Sequence, residues 1–355
     1  MKTAWLSVIT SALFAAISVA ANAQSINWVY ANGYAKNHPN VGIVADEFIK
    51  RIETETNGRL KIRHVAAGTL LKPENMLEGI RGRVAQMGSA VVLFFPGQLP
   101  ISATLAGVTD LRTGNKIDAA GATAITMRLL DEVPEFAGEY AKLGLKAIMW
   151  VSAPPYNIIG TKPIVRLADL QGKKVRAFGT ALPKLLTAAG AVPVSMAYGE
   201  IYTSMQTGVI DGAFSDVNGM VAGKFEDVGK HLITIGPKDG ALTAIAAIVY
   251  IVNLEEWKAL PPDVQKGIEK VAKGMTADAA QIVANSAATS VKTMEKAGVT
   301  IRHLSQADTD ALAQKVPDVF EAAAKTLTDA KLPGDAIIRR HKAITDSYIK
   351  GTWKP

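Results

Sequence analysis

The chain contains no cysteine. Disulfides, thiolate nucleophiles and cysteine metal sites are therefore excluded, and no lipobox cysteine can tether the chain to a membrane. The five histidines, His38, His64, His231, His303 and His341, are scattered, and none forms an H-E-x-x-H pair or another ligand spacing. Neither a G-x-S-x-G elbow nor a phosphate-binding glycine loop occurs. The basic residues form no run and have no interleaved aromatics. The formal charge of +7 thus reads as a mildly basic surface, with no nucleic-acid site. After the first twenty-odd residues there is no second long apolar stretch, so a membrane anchor is not expected.

What stands at the start is an export signal. Lys2 gives a small positive beginning, Leu6 to Ala21 is an apolar run, and Ala21-Asn22-Ala23 closes it in the A-x-A style. Residues 1–23 are expected to be a signal peptide cut after Ala23, which places the mature protein in the periplasm, away from routine access to DNA, ATP or NAD(P)H. The 355 residues suffice for two domains, and 48% apolar with 20% charged residues is a globular composition.

The most informative stretch is Leu167–Asp216. Short apolar runs at Lys174–Phe178, Val192–Met196 and Val209–Phe214 read as strands. Between them lie helical segments, about Ala181–Ala189 and Glu200–Thr207, each followed by glycine (Gly190, Gly208) where a left-handed cap is easiest. Strand–helix–strand–helix–strand predicts a parallel sheet, and ligands bind outside the carboxyl ends of such strands. Those ends bring Arg176, Tyr198, Ser215 and Asp216 to one crevice. Arg176 is unusual, a charge flanked by Val175, Ala177 and Phe178. Two readings stand from chemistry alone: a structural salt bridge, or a fork for a ligand carboxylate. Glu200 and Asp216 also invite an acid–base reading. Stabilisation of a helix start is the simpler account of Glu200.

Earlier in the chain a second β-α-β-α-β pattern runs through Ser25–Ala31, Val41–Thr56, Leu60–Val65, Pro73–Gly82 and Val84–Ser89. Asn32, Tyr34 and Ser89 follow or end strands there and are candidates to close over a ligand. A helix at Ile117–Leu130 and a strand at Leu145–Val151 lead into Ala153-Pro154-Pro155-Tyr156, where two prolines mark a crossing between domains. Trp150 is a candidate wall or, equally, a buried core tryptophan. Further on, Lys224–Leu232 looks helical, Ala241–Val252 is extended and returns to the first domain, and Pro261–Lys273 and Thr276–Ala297 read as two helices. Ala307–Tyr348 is helical and expected on the outside.

The run DLQGKKVRAFG, followed by LLTAAGAVPVSMAYGEIYTSMQTGVIDG, resembles the signature region of the DctP-type periplasmic solute-binding proteins of TRAP transporters. Glu200, Tyr202, Gln206, Gly208, Asp211 and Gly212 match its second half. The resemblance covers essentially the whole mature chain. It implies an α/β fold of two domains, each a mainly parallel sheet flanked by helices, with a long helix near 276–297 running across both. The expected division is 24–153 with 242–280 as the first domain, 154–241 with 281–310 as the second, and 311–355 as outer helices. It further implies that Arg176 binds a ligand carboxylate and that Tyr198 packs on the ligand. Ser215 stands where many relatives carry asparagine, which alters that contact. Tyr156 stands where sialic-acid-binding relatives carry a second arginine, which suggests one dominant carboxylate on an aromatic or hydroxylated body. No cofactor and no catalysis are expected. The expected partners are a small organic acid and an ion-driven TRAP permease, met by a monomer. The rival readings are a binding protein of an ABC or tripartite tricarboxylate system, and a secreted hydrolase or lyase.

Overall fold

The computed structural model describes residues 25–108, 111, 116–236 and 244–353. The expected signal peptide lies outside them. Eleven strands among these residues form two sheets. Their ranges are β1 Ile26–Ala31, β2 Leu60–Val65, β3 Met87–Val91, β4 Leu145–Ala153, β5 Tyr156–Gly160, β6 Lys174–Arg176, β7 Val192–Val194, β8 Gly212–Asp216, β9 His231–Thr234, β10 Ile245–Asn253 and β11 Thr300–His303. The first sheet has the order β2-β1-β3-β10-β4 and the second β11-β9-β5-β8-β6-β7.

The two βαβαβ units supply the parallel parts. β1 pairs in parallel with β2 and β3, and β6 with β7 and β8. Helices cover them through apolar faces of helical period. The helix Val44–Glu55 buries Val44, Ala45, Phe48, Ile49 and Ile52 against the first sheet's core. Both sheets are mixed, because each takes one long return strand running the other way. β10 is antiparallel to β3 and β4, and β5 to β8 and β9.

The chain changes sheets in two residues. Ala153 still pairs with Ile245 in the first sheet, and Tyr156 already pairs with Asp216 in the second. Pro154 and Pro155 fill the gap; lacking amide hydrogens, they leave no ladder donor unpaired there.

Several elements differ from the expectation. The third strand of the first unit starts at Met87, because Arg83 takes a left-handed turn and Val84 is exposed. The third strand of the second unit is Gly212–Asp216: Val209 and Ile210 belong to the turn after helix Ile201–Gln206, and the Asp211 carboxylate accepts the Lys174 amide. Lys224–Leu232 is a short helix, Phe225–Val228, followed by strand β9, since the backbone is already extended at Gly229. Strand β11, which pairs with β9, was not expected. Ala307–Tyr348 divides into helices Gln306–Lys315, Val319–Asp329 and Gly334–Ile349, with Pro317 and Pro333 in the breaks.

The two helices expected at Pro261–Lys273 and Thr276–Ala297 are one, Pro262–Lys296, of 35 residues and roughly 50 Å. Its first half buries Val264, Ile268 and Met275 in the first sheet's core, and Met294 near its end joins the second sheet's core with Ile201 and Met205. Gly274 does not break it, because a single helical glycine costs only about 1 kcal/mol against alanine and the packing on either side exceeds that. A Cβ there would meet no heavy atom within 4 Å. Gly274→Ala is therefore expected to raise stability by about 0.5–1 kcal/mol in urea unfolding; a loss would show that the helix needs a weak point there.

Candidate functional site

The carboxyl ends of the parallel strands of both sheets face one another across a cavity of about 460 Å³, its mouth included. From the second sheet come Arg176 at the end of β6 and Phe178 after it, Tyr198 after β7, and Ser215 and Asp216 at the end of β8. Tyr156 enters at the start of β5. From the first sheet come Tyr34, His38, Asn40 and Val41 in the segment after β1, and Val91 and Phe94 after β3. Ala153, Ala247 and Ile248 complete that wall.

Arg176 is 2% exposed. Its Nε and Nη2 donate to the Met196 carbonyl at 3.3 and 3.4 Å, and its guanidinium lies 4.4 Å from the Phe178 ring centre. Among the described residues it forms no ion pair, and Nη1 has no hydrogen-bond partner. Burial pulls its pKa below the usual arginine range, opposed by the phenols of Tyr156, Tyr34 and Tyr198. Of the two readings of Arg176, the structural salt bridge is thus not made. The fork is anchored along one edge, and its Nη1–Nη2 end remains for a second bidentate partner.

Rings line the space around that charge. Phe94 and Phe178 stack across the cleft at 5.1 Å, and Tyr34 meets Tyr198 edge-on at 5.4 Å. Tyr156 is wedged between Phe178 and Phe214, both at 6.0 Å. The Tyr198 hydroxyl donates to the Gly219 carbonyl, which fixes the ring. Burial raises the pKa of all three tyrosines, so each stays a neutral phenol.

Asp216, 5% exposed, stands further along β8 than the Arg176 register position, Ala213, by roughly 10 Å. It caps the helix Val217–Ala222 by accepting from the Gly219 amide at 3.0 Å, and it accepts from Asn40 Nδ2 at 3.0 Å. Burial raises its pKa, and the bonds from Gly219 and Asn40 oppose that rise. The Asn40 contact starts a buried chain. Asn218 Nδ2 donates to Asn40 Oδ1 at 2.7 Å and to the Val283 carbonyl at 3.1 Å, and Ser290 Oγ donates to Asn218 Oδ1 at 2.9 Å. The first-sheet side, the second-sheet side and the long helix are thereby joined by a chain of buried polar groups.

Of the residues named from the sequence, Arg176, Tyr198, Ser215, Asp216, Tyr156 and Tyr34 line the cavity. Asn32, Ser89 and Trp150 do not. Asn32 turns back to accept the Tyr34 amide at 2.9 Å and faces His64, so it shapes the turn that carries Tyr34. Ser89 lies within β3 opposite Tyr250, short of the strand's end. Trp150 is fully buried between Phe136 and Tyr140, three residues before the end of β4. Phe94, His38 and Asn40 were missed. Phe94 follows a strand end, the signal that found Tyr198, whereas His38 and Asn40 lie in a polar turn without strand or helix period. Glu200 accepts the Ala197 amide at 3.0 Å, as a helix-start carboxylate should.

The family model for bacterial extracellular solute-binding protein, family 7 (DctP), matches residues 31–326. The chain belongs to the DctP family. It is a solute-binding protein of the TRAP transporter type, a transport family and not an enzyme family. Among curated relatives, the C4-dicarboxylate-binding periplasmic protein DctP of Rhodobacter capsulatus is 28% identical over 313 residues, covering 82% of this chain and 84% of its own. The 2,3-diketo-L-gulonate-binding periplasmic protein YiaO of Escherichia coli K12 is 25% identical, covering 87% and 90%. Among solved structures, a marine-metagenome TRAP solute binding protein specific for aromatic acid ligands, with 3-hydroxybenzoate, superposes with a TM-score of 0.80 at 20% identity, over 92% of this chain and 99% of that one. A Bordetella pertussis extracytoplasmic solute receptor binding pyroglutamic acid gives 0.76 at 21%, over 89% and 99%. At these identities the structural likeness speaks for the shared two-domain fold with its long linking helix.

Two outcomes follow for this DctP protein. Asn40→Ala leaves Asp216 and Asn218 each short of a buried partner, so stability should fall by about 1–3 kcal/mol in urea unfolding; an unchanged midpoint would mean that water satisfies both. Burial holds the His38 imidazole down at about 4, against 6.5 unfolded, so the native state binds fewer protons between those values. Stability from this group is complete above pH 6.5 and is lost as pH falls toward 4. His341 behaves alike, so the parent is compared with His38→Phe, whose loss on acidification from pH 7 to 4 should be smaller by about 3 kcal/mol.

Proposed function

We propose that this DctP protein captures a small organic acid with one dominant carboxylate between its two sheets, and that the carboxylate seats on the free end of Arg176. The observation that supports this most is a dry, full positive charge at the strand ends with no acidic side chain against it. An isolated buried charge is costly, and a ligand carboxylate removes that cost with two parallel bonds. The relatives' ligands, a C4-dicarboxylate, 2,3-diketo-L-gulonate, 3-hydroxybenzoate and pyroglutamic acid, share an acid function. Tyr156 and Tyr198, with Tyr34 opposite, are our candidates for the walls of the site, and Ser215 and Asp216 for its polar end. A second carboxylate would meet Asp216 in a low-dielectric space and be repelled, which favours a monocarboxylate with a flat or hydroxylated body.

In this reading the chain works in the periplasm after removal of residues 1–23, as a monomer. Residues 24–153 with 242–280 act as one lobe, 154–241 with 281–310 as the other, and 311–355 as outer helices. The ligand docks on Arg176, the first lobe closes over it, and contacts made to both lobes favour the closed state that the permease receives. A thermal-shift screen of carboxylates finds the ligand, since a molecule that binds only the native state raises the melting temperature. Calorimetry with the best acid then tests the clamp. Arg176→Ala should cost roughly 3–5 kcal/mol, a hundred-fold or more in Kd, and Arg176→Lys should also weaken binding because the fork is lost. Equal affinity in all three proteins would return Arg176 to a structural role.

A further inference from the structure

His38 is a polar group in the cavity for which the carboxylate reading finds no use. Its imidazole lies 5.3 Å from the Tyr34 ring and 6.3 Å from the Tyr198 ring, so it stands where the two sides of the cleft meet. The residue is 5% exposed, its buried Nδ1 has no hydrogen-bond partner, and among the described residues neither ring nitrogen bonds to another residue. The local fold does not use the imidazole either. The turn that follows, Pro39–Ile43, has no side-chain cap, and it is held by the His38 carbonyl, which accepts the amides of Val41, Gly42 and Ile43.

A buried imidazole nitrogen left without a partner is a cost, and such a group calls for something that completes it. Burial keeps the ring neutral at pH 7, so one nitrogen donates and the other accepts. A neutral imidazole suits an uncharged partner and gives a second carboxylate no counter-charge. We propose that His38 is a specificity-determining contact that hydrogen-bonds an uncharged polar substituent of the ligand, a hydroxyl, carbonyl or ring N–H, on the body of the acid held by Arg176. This deepens the reading above and rests on it. The substrate class it names is a substituted monocarboxylate: the plain acid lacks the group that completes His38, and the dicarboxylate brings a charge that His38 does not balance.

Calorimetry on the mature protein with matched probes tests this. One set is benzoate, 3-hydroxybenzoate and benzene-1,3-dicarboxylate; another is butyrate, 4-hydroxybutyrate and glutarate; a third is cyclopentanecarboxylate and pyroglutamate. In at least one set the hydroxyl- or N–H-bearing member should bind about tenfold tighter than its plain parent, the worth of one hydrogen bond and its unpaired alternative. His38→Phe should shrink that ratio to about twofold or less, and His38→Gln, which keeps a donor and an acceptor, should restore part of it. Circular dichroism of both variants establishes that they are folded. The proposal is overturned by a ratio that survives in His38→Phe, or by dicarboxylates binding best to the parent protein. Should Arg176→Ala abolish binding of every probe while His38→Phe leaves the ratio intact, carboxylate capture stands and only the role of His38 falls. Failure of every probe to bind takes down both.

Discussion

A guanidinium held almost entirely out of water, without a carboxylate partner among the described residues, sets the terms for everything around it. The Met196 carbonyl and the face of Phe178 replace part of the hydration that burial removes from Arg176. Neither carries a full negative charge. Burial pulls the Arg176 pKa down, and an anion from outside would oppose that cost. The first sheet supplies Tyr34, Phe94 and His38 to the opposite wall, so residues of both sheets surround the charge. In the proposed reading binding and closure are one event: a ligand that satisfies Arg176 would gain contacts from the other side only when the two sides meet.

Closure has a polar track of its own. Asp216 caps a helix on its own side and accepts from Asn40 on the other, and Asn40 passes the connection through Asn218 to Ser290 and the Val283 carbonyl on the long helix. Such a chain is directional. An apolar contact tolerates a slide of an ångström, whereas buried hydrogen bonds lose most of their worth over that distance. The long helix adds stiffness, since its two halves belong to the cores of different sheets. The geometry across the cleft is thus set by three fixed points: the Ala153–Tyr156 crossing, this helix, and the Asp216–Asn40–Asn218 chain.

The fold was legible where the sequence is periodic and punctuated. Gly190 and Gly208 end helices in left-handed turns, the two βαβαβ units stand out by apolar runs, and the double proline before Tyr156 marks the change of sheet. What was not legible depends on tertiary context. β9 and β11 are short, partly exposed strands that exist because they pair with each other and with β5, and nothing local announces them. Gly274 looks like a helix end when only propensity is weighed, yet it lies between two buried faces that the helix must connect. At the site, the strand-end rule found Arg176, Tyr198, Ser215 and Asp216 because those groups sit at carboxyl termini. It erred on Ser89 and Trp150, which lie short of the ends and turn into the core. It gave no access to His38 and Asn40, which owe their place to a turn folding over the second sheet.

The aromatic lining then explains how one arginine serves a selective site. A charge alone accepts any small anion, chloride and phosphate included. Around Arg176 the rings of Phe94 and Phe178 stack on each other, Tyr156 is wedged between two phenylalanines, and Tyr198 is pinned by its hydroxyl to the Gly219 carbonyl. An organic acid differs in having a body that buries apolar surface against those rings as its carboxylate reaches the fork. That burial, at about 25 cal/mol per Å², supplies the part of the binding free energy that an inorganic ion cannot obtain. In the proposed reading Asp216 would sharpen the choice from the far end, because its carboxylate tolerates a hydroxyl or N–H and repels a second anion. On that reading, selectivity for one acid among many would lie in the walls and the far end, and the arginine would fix only the orientation in which each candidate is presented to them.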